Sequence, residues 1–176
     1  MLKVVLVTGG SSGIGKSISE FLFEKGFKVY GTSRNPEKYQ EEVSFPLLKM
    51  EVTHPNSINE VIAYIINQEG QLDIVINNAG VGITGPIEET PTSEIIKAFD
   101  INLHGPINVI KSVLPQMRKQ KSGLIINITS IAGYMVPAIS YISCKITRCD
   151  VGHFYTKLFY FYSKCFRGYF KSCFSS

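Results

Sequence analysis

The sequence contains no stretch of about 18 consecutive apolar residues, so no membrane-spanning helix is expected. It has no Cys-x-x-Cys pair, and none of its histidines stands at zinc-site spacing. No metal site is therefore expected, and His54, His104 and His153 share no motif. The cysteines, Cys144, Cys149, Cys165 and Cys173, all come late and read as free thiols of a reducing compartment. Excess basic charge is missing from most of the chain. The net charge is +4, but Arg148, Lys157, Lys164, Arg167 and Lys171 against Asp150 supply all of it. The first 145 residues hold 13 basic and 13 acidic side chains, so no nucleic-acid partner is expected. No solenoid repeat is visible. The opening Met1-Leu-Lys-Val-Val-Leu-Val-Thr-Gly-Gly10 is too short before its glycines for a secretory signal. It reads as a first strand, and a cytoplasmic setting is expected. A length of 176 residues suits one domain.

What is present is an alternation of strand and helix signals over the first 130 residues. Lys3–Val7, Phe27–Ser33, Phe45–Val52, Leu72–Ile76 and Gly123–Thr129 read as strands. Gly13–Lys25 reads as a helix with Ile14, Ile18, Phe21 and Leu22 on one face. Ser57–Gln68 carries an apolar stripe of Ile58, Val61, Ile62, Ile65 and Ile66, and Thr92–Met117 holds one or two further helices. Met50, Met117 and Met135 read as core fillers. Continuously apolar strands separated by helices predict an α/β fold with a doubly wound parallel sheet. Residues 146–176 differ: they hold 10 of the 20 aromatics, no Glu, no Ala and a single Leu. No element can be assigned to this aromatic, basic tail.

Gly9, Gly13 and Gly15 sit between the first strand and the first helix, within Thr8-Gly-Gly-Ser11-Ser12-Gly-Ile14-Gly15. Glycines there let backbone N–H groups approach a pyrophosphate, and the helix N-terminus adds partial positive charge. The glycine spacing differs from the six-residue Rossmann fingerprint, but the strand–turn–helix context is the one such a site needs. The second strand ends Tyr30-Gly-Thr-Ser33-Arg34-Asn35. An acid there would bind a ribose 2′-hydroxyl; Arg34, beside Ser33, suits a 2′-phosphate instead. NADP is thus expected rather than NAD, the bland alternative being a solvated surface arginine.

Tyr141 and Lys145 stand four residues apart, on one face of a helix. An ammonium beside a phenol favours the phenolate, which makes the tyrosine usable as a general acid or base. Ser130 ends the strand before them and could hydrogen-bond a substrate oxygen. Alone, Tyr-x-x-x-Lys is a common amphipathic pattern. Here it follows, in order, the glycine turn, Asn77-Asn78-Ala79-Gly80, Asn102 within Asp100-Ile-Asn-Leu-His-Gly105, and Ile125-Ile-Asn-Ile-Thr-Ser130. Over residues 1–145 this combination resembles the short-chain dehydrogenase/reductase family of the single-domain type.

The resemblance implies a Rossmann-like sheet and hydride transfer between a nicotinamide and a carbon bearing a hydroxyl or carbonyl. It implies that Ser130 polarises the carbonyl, Tyr141 moves the hydroxyl proton, Lys145 lowers the tyrosine pKa and holds the ribose, and Asn102 supports a water-linked proton relay. Thr8, Gly9, Ser11, Ser12, Gly13, Ile14, Gly15, Ser33, Arg34, Asn78, Ala79, Gly80, Tyr141 and Lys145 would contact the cofactor. Glu51-Val52 would flank the adenine where the family usually has Asp-Val. A small alcohol or carbonyl compound would be the substrate. Oligomers would form through the helices around Thr92–Lys119 and from Tyr141 onward.

The chain also departs from this family. Ser130 and Tyr141 are eleven residues apart, closer than is usual, and Ile146-Thr-Arg-Cys-Asp150 replaces the expected small residues. The family's further strands and substrate segment do not follow. The fold is therefore expected to be incomplete at its C-terminal end. A frame change or deletion is expected between about Gly133 and Val151, residues 146–176 forming a separate tail, and assembly is not expected to survive it. Two other readings stay open: a non-catalytic dinucleotide binder or decayed family member, and a membrane-associated protein using its tail. The latter ranks last, since the tail has no amphipathic period.

Overall fold

A computed structural model describes residues 2–83, 86 and 88–129, together with the backbone of 155–159. Six strands form one parallel sheet. They are β1 (Val4–Val7), β2 (Lys28–Ser33), β3 (Leu47–Lys49), β4 (Ile74–Asn77), β5 (Leu124–Ile128) and β6 (Tyr155–Phe159), in the order β3-β2-β1-β4-β5-β6. That order, reversing direction between β1 and β4, is the doubly wound Rossmann arrangement, and the crevice outside the strand C-termini at the reversal is where such sheets bind ligands. The expected fold class is therefore the observed one.

β1, β2, β4 and β5 are short and largely buried on both faces. Leu6, Tyr30, Val75 and Ile125 face α2 (Pro55–Glu69) and α4 (Gly105–Gln120), joining Ile58, Val61, Ile65, Val109, Val113 and Met117 in one core. Val5, Val7, Val29, Ile74 and Ile126 face the other way, where α1 (Gly13–Glu24) contributes Ile18 and Leu22. Each buried aliphatic side chain stabilises by roughly 1.5–3 kcal/mol, so the two cores carry most of the driving force.

Three regions differ from expectation. The third strand covers only Leu47–Lys49, not Phe45–Val52. Pro46 has no N–H to give a ladder, and Gln40 supplies the missing order: its side-chain amide donates to Phe45 O at 3.0 Å and accepts from Leu47 N at 2.8 Å. Past the strand, Glu51 N turns away to the Ser57 hydroxyl at 3.0 Å. The region from Thr92 to Met117 resolves into α3 (Thr92–Phe99) and α4, separated by a π-helical turn at Asp100–His104, and α4 runs on to Gln120. The tail, to which no element could be assigned, contributes β6, in parallel register with β5 from Leu124↔Tyr155 to Ile128↔Phe159.

Charged groups fasten the N-terminal edge of the sheet. Asp73 Oδ2 accepts from Val4 N at 2.7 Å and from Gln71 Nε2 at 3.0 Å. The buried Tyr30 hydroxyl donates to Glu69, whose carboxylate also pairs with Lys28 Nζ at 3.3 Å. Burial, reinforced by Glu69, pushes the Tyr30 phenol well above its ordinary range. The Tyr30 hydrogen bond, helped by Lys28, holds the Glu69 carboxyl below its ordinary range.

Candidate functional site

The glycine turn is tied into the sheet by neighbours rather than by its own loop. Thr8 N donates to Ile76 O and Gly10 N to Thr32 O, both at 2.9 Å. The buried Thr8 hydroxyl accepts from Asn78 N and Ala79 N, each at 2.9 Å. Asn78 Nδ2 returns two bonds, to Thr8 O at 3.0 Å and Gly9 O at 3.2 Å. Two glycines are required by this geometry. Gly9 has φ +67°, a conformation in which side chains are strained. A Cβ on Gly15 would lie 2.2 Å from Gly9 O and 2.4 Å from Asn78 Nδ2, so only glycine lets α1 approach the turn this closely.

These elements wall a cavity of about 600 Å³ at the C-terminal ends of β1, β2 and β4, large enough for a nucleotide. Of the residues expected at the cofactor, Gly9, Ser11, Ser12, Ile14, Ser33, Arg34, Glu51, Val52, Asn78, Ala79 and Gly80 line it. Thr8, Gly13 and Gly15 do not; Thr8 and Gly15 shape the wall from behind, through the bonds and close approach described above. Ser130, Tyr141 and Lys145 lie outside the described residues.

The electrostatics of the cavity fit an anion. Arg34 and Glu51 are the only charged side chains lining it among the described residues. Arg34 is exposed and makes no ion pair among those residues. The first turn of α1 contains no acidic residue, so the partial positive charge of its N–H groups stays unneutralised. Glu51 is turned into its own loop, accepting from the Thr53 hydroxyl at 3.2 Å. No group of three or more acidic, His or Cys side chains able to hold a metal occurs among the described residues. No helix among them is long and apolar enough to cross a membrane.

Asn102 sits in the π-helical turn, and both ends of its amide are engaged by Val81. Its Oδ1 accepts from Val81 N at 2.9 Å and its Nδ2 donates to Val81 O at 2.8 Å. The π-turn puts a buried amide where it pairs with the Val81 backbone in the Asn78–Gly82 wall, and such turns recur at functional sites.

The profile described as short chain dehydrogenase matches residues 3–147. The chain belongs to the short-chain dehydrogenase family. A 3-ketodihydrosphingosine reductase of Bacteroides thetaiotaomicron is 42% identical over 133 residues, which cover 76% of this chain and 49% of that one. Among solved structures, ElxO with NADP bound is 34% identical, with a TM-score of 0.70 over 80% of this chain and 60% of that one. An NAD⁺-bound xylitol dehydrogenase is 28% identical, with a TM-score of 0.71 over 77% and 55%. The chain spans about half the length of the curated relative it matches.

In this member of the family, sequence reasoning missed several wall residues: Thr32, Asn35, Tyr39, Met50, Val81, Gly82, Ile101, Ile128 and Thr129. Most flank residues that were singled out, and adjacency to a strand end was a usable signal for Thr32, Asn35, Met50 and Thr129. Met50, expected in the core, is both buried there and part of the wall. Tyr39 carried no signal, since it reaches the cavity from the short 3₁₀ turns after β2.

Proposed function

We propose that residues 1–145 form the dinucleotide-binding unit of an NADP(H)-dependent oxidoreductase acting on a small organic alcohol or carbonyl compound. The observation that carries this reading is Arg34: an exposed guanidinium without an ion pair among the described residues, at the end of β2 on the cavity wall, in a strand end with no acid. Relatives of this fold bind either cofactor, ElxO carrying NADP and the xylitol dehydrogenase NAD⁺. The side chain at the β2 end is the natural discriminator, because it meets the one position where the two cofactors differ.

On this reading, the glycine turn and the N-terminus of α1 cradle the pyrophosphate with backbone N–H groups. Ser33 and Arg34 would hold the 2′-phosphate, the guanidinium supplying charge-assisted hydrogen bonds. Glu51 and Val52 flank the adenine, and Asn78, Ala79 and Gly80 line the cofactor near the adenine ribose. The bound cofactor supplies or accepts the hydride. Ser130 hydrogen-bonds the substrate oxygen, Tyr141 gives or takes the hydroxyl proton, and Lys145 holds the phenol toward its ionised form. Asn102 supports the proton relay by fixing Val81 and the turn it sits in. The thiols, with no Cys-x-x-Cys pair, accord with a cytoplasmic setting.

The test is titration of the purified chain with NADPH and NADH, followed by reduction of a panel of ketones and aldehydes. Tighter binding of NADPH, with carbonyl-dependent loss of its absorbance, supports the full reading. Binding without turnover on any carbonyl leaves a dinucleotide-binding protein and removes the catalytic part.

A further inference from the structure

A row of polar side chains crosses the sheet on the face that α2 and α4 cover. Asn77 of β4 lies in register with Asn127 of β5. One residue beyond the Val7↔Gly31 and Val7↔Ile76 pairs, the same level passes through Thr8 and Thr32. All four residues are more than nine-tenths buried. The two threonines are satisfied: Thr8 Oγ1 takes the Asn78 and Ala79 N–H groups, and Thr32 Oγ1 takes that of Gly9 at 3.3 Å.

The asparagine pair is incomplete. Asn77 Nδ2 donates to Asn127 Oδ1 at 2.8 Å, yet Asn77 Oδ1 and Asn127 Nδ2 have no partner among the described residues. Their exposures are 3% and 2%, so bulk solvent does not supply one. Reversing both amides changes nothing in kind: one donor and one acceptor are still left over. Buried amide groups left unpaired are costly and rare in folded proteins.

We propose that the Asn77–Asn127 pair is a binding site for one internal water. The ligand must be small and neutral and must both donate and accept. A cation would face the amide donor, an anion the acceptor, and a hydrocarbon would satisfy neither. The water donates to Asn77 Oδ1 and accepts from Asn127 Nδ2, closing the pair into a ring and joining the ends of β4 and β5. Those ends lead straight into Asn78 and Thr129 on the cavity wall. The water touches no reacting group; it is part of the frame that positions the wall.

High-resolution diffraction from crystals of the full chain tests this directly. A water peak within about 2.7–3.2 Å of both amides is expected. Magnetic relaxation dispersion, which counts long-lived internal waters, should show one fewer in folded Asn127→Leu than in the unaltered chain. The proposal is overturned if the two orphan atoms are capped by a protein group, such as one from residues 130–154, or if the site is dry. It is also overturned if folded Asn127→Leu keeps the same number of long-lived waters. Should that variant fail to fold, the density in the unaltered chain decides.

Discussion

The two edges of the sheet are fastened by different means. At the N-terminal edge carboxylates take part: Asp73 holds Val4 and Glu69 holds Tyr30 and Lys28, beside the neutral Gln120 amide that holds Leu72. At the C-terminal edge, around the cavity, the fasteners are neutral: the Thr8 and Thr32 hydroxyls and the Asn78 and Asn102 amides all bind backbone. A carboxylate doing the work of Asn78 beside the glycine turn would repel a pyrophosphate and cancel the partial charge of α1. An amide offers a donor and an acceptor with no net charge. The edge that must receive an anion is thus built from groups that do not compete with it, and carboxylates share the load at the far edge.

The contrast can be broken at its strongest point first. Gly15→Ala drives a Cβ into Gly9 O and Asn78 Nδ2. Overpacking of this kind costs about 1–3 kcal/mol, so NADPH binding should weaken by up to roughly 100-fold while circular dichroism stays unchanged. Calorimetric titration checks it, and an unaltered affinity would show that the turn is not the phosphate cradle.

Asn78→Ala comes next. It leaves Thr8 O and Gly9 O without their side-chain donor. The loss should be about 1–3 kcal/mol, lowering the melting temperature by several degrees. Asn78→Asp should restore none of the donated bonds and should weaken cofactor binding further, through charge. An aspartate variant that binds as well as the unaltered chain would remove the electrostatic rationale for neutral fasteners.

At the other edge the effect should depend on pH. Glu69 has a depressed folded-state pKa, so its contribution is present above the unfolded carboxylate pKa and is lost as pH falls through the lower folded value. Glu69→Gln should therefore cost about 1 kcal/mol near neutrality and almost nothing in acid. Denaturant melts at a series of pH values measure this. Cofactor affinity should not change, because Glu69 lies at the far edge. The smallest effect belongs to Lys16, whose exposed pairs with Glu20 and Glu42 span 3.9 and 3.8 Å. Lys16→Ala should shift stability by less than about 1 kcal/mol in the same melts.

The sequence made the fold legible because buried parallel strands are apolar throughout, as in Val4-Val-Leu-Val7 and Ile74-Val-Ile76 between amphipathic helices. It showed the glycine turn and Arg34 for the same local reason: both depend on residues a few positions apart. It did not show what the asparagines do. Asn78 and Asn102 stood out as residues for cofactor and catalysis, yet their amides are spent on backbone contributed from 69 or 70 and from 21 positions away. No periodicity reports such a partner. The third strand was overestimated because Phe45 and Pro46 are apolar and extended-looking, while the ladder needs N–H groups that proline lacks. Tyr39 entered the wall through tertiary approach alone.

The decisive measurement is the affinity of the purified chain for NADPH and NADH, before and after Arg34→Ala. A charge-assisted contact to the 2′-phosphate contributes about 1.5–3 kcal/mol, so NADPH should bind at least roughly tenfold tighter than NADH. Arg34→Ala should erase that preference and leave NADH binding unchanged. Equal binding of the two cofactors by the unaltered chain, or a preference that survives the substitution, would contradict the assignment of Arg34 and of NADP.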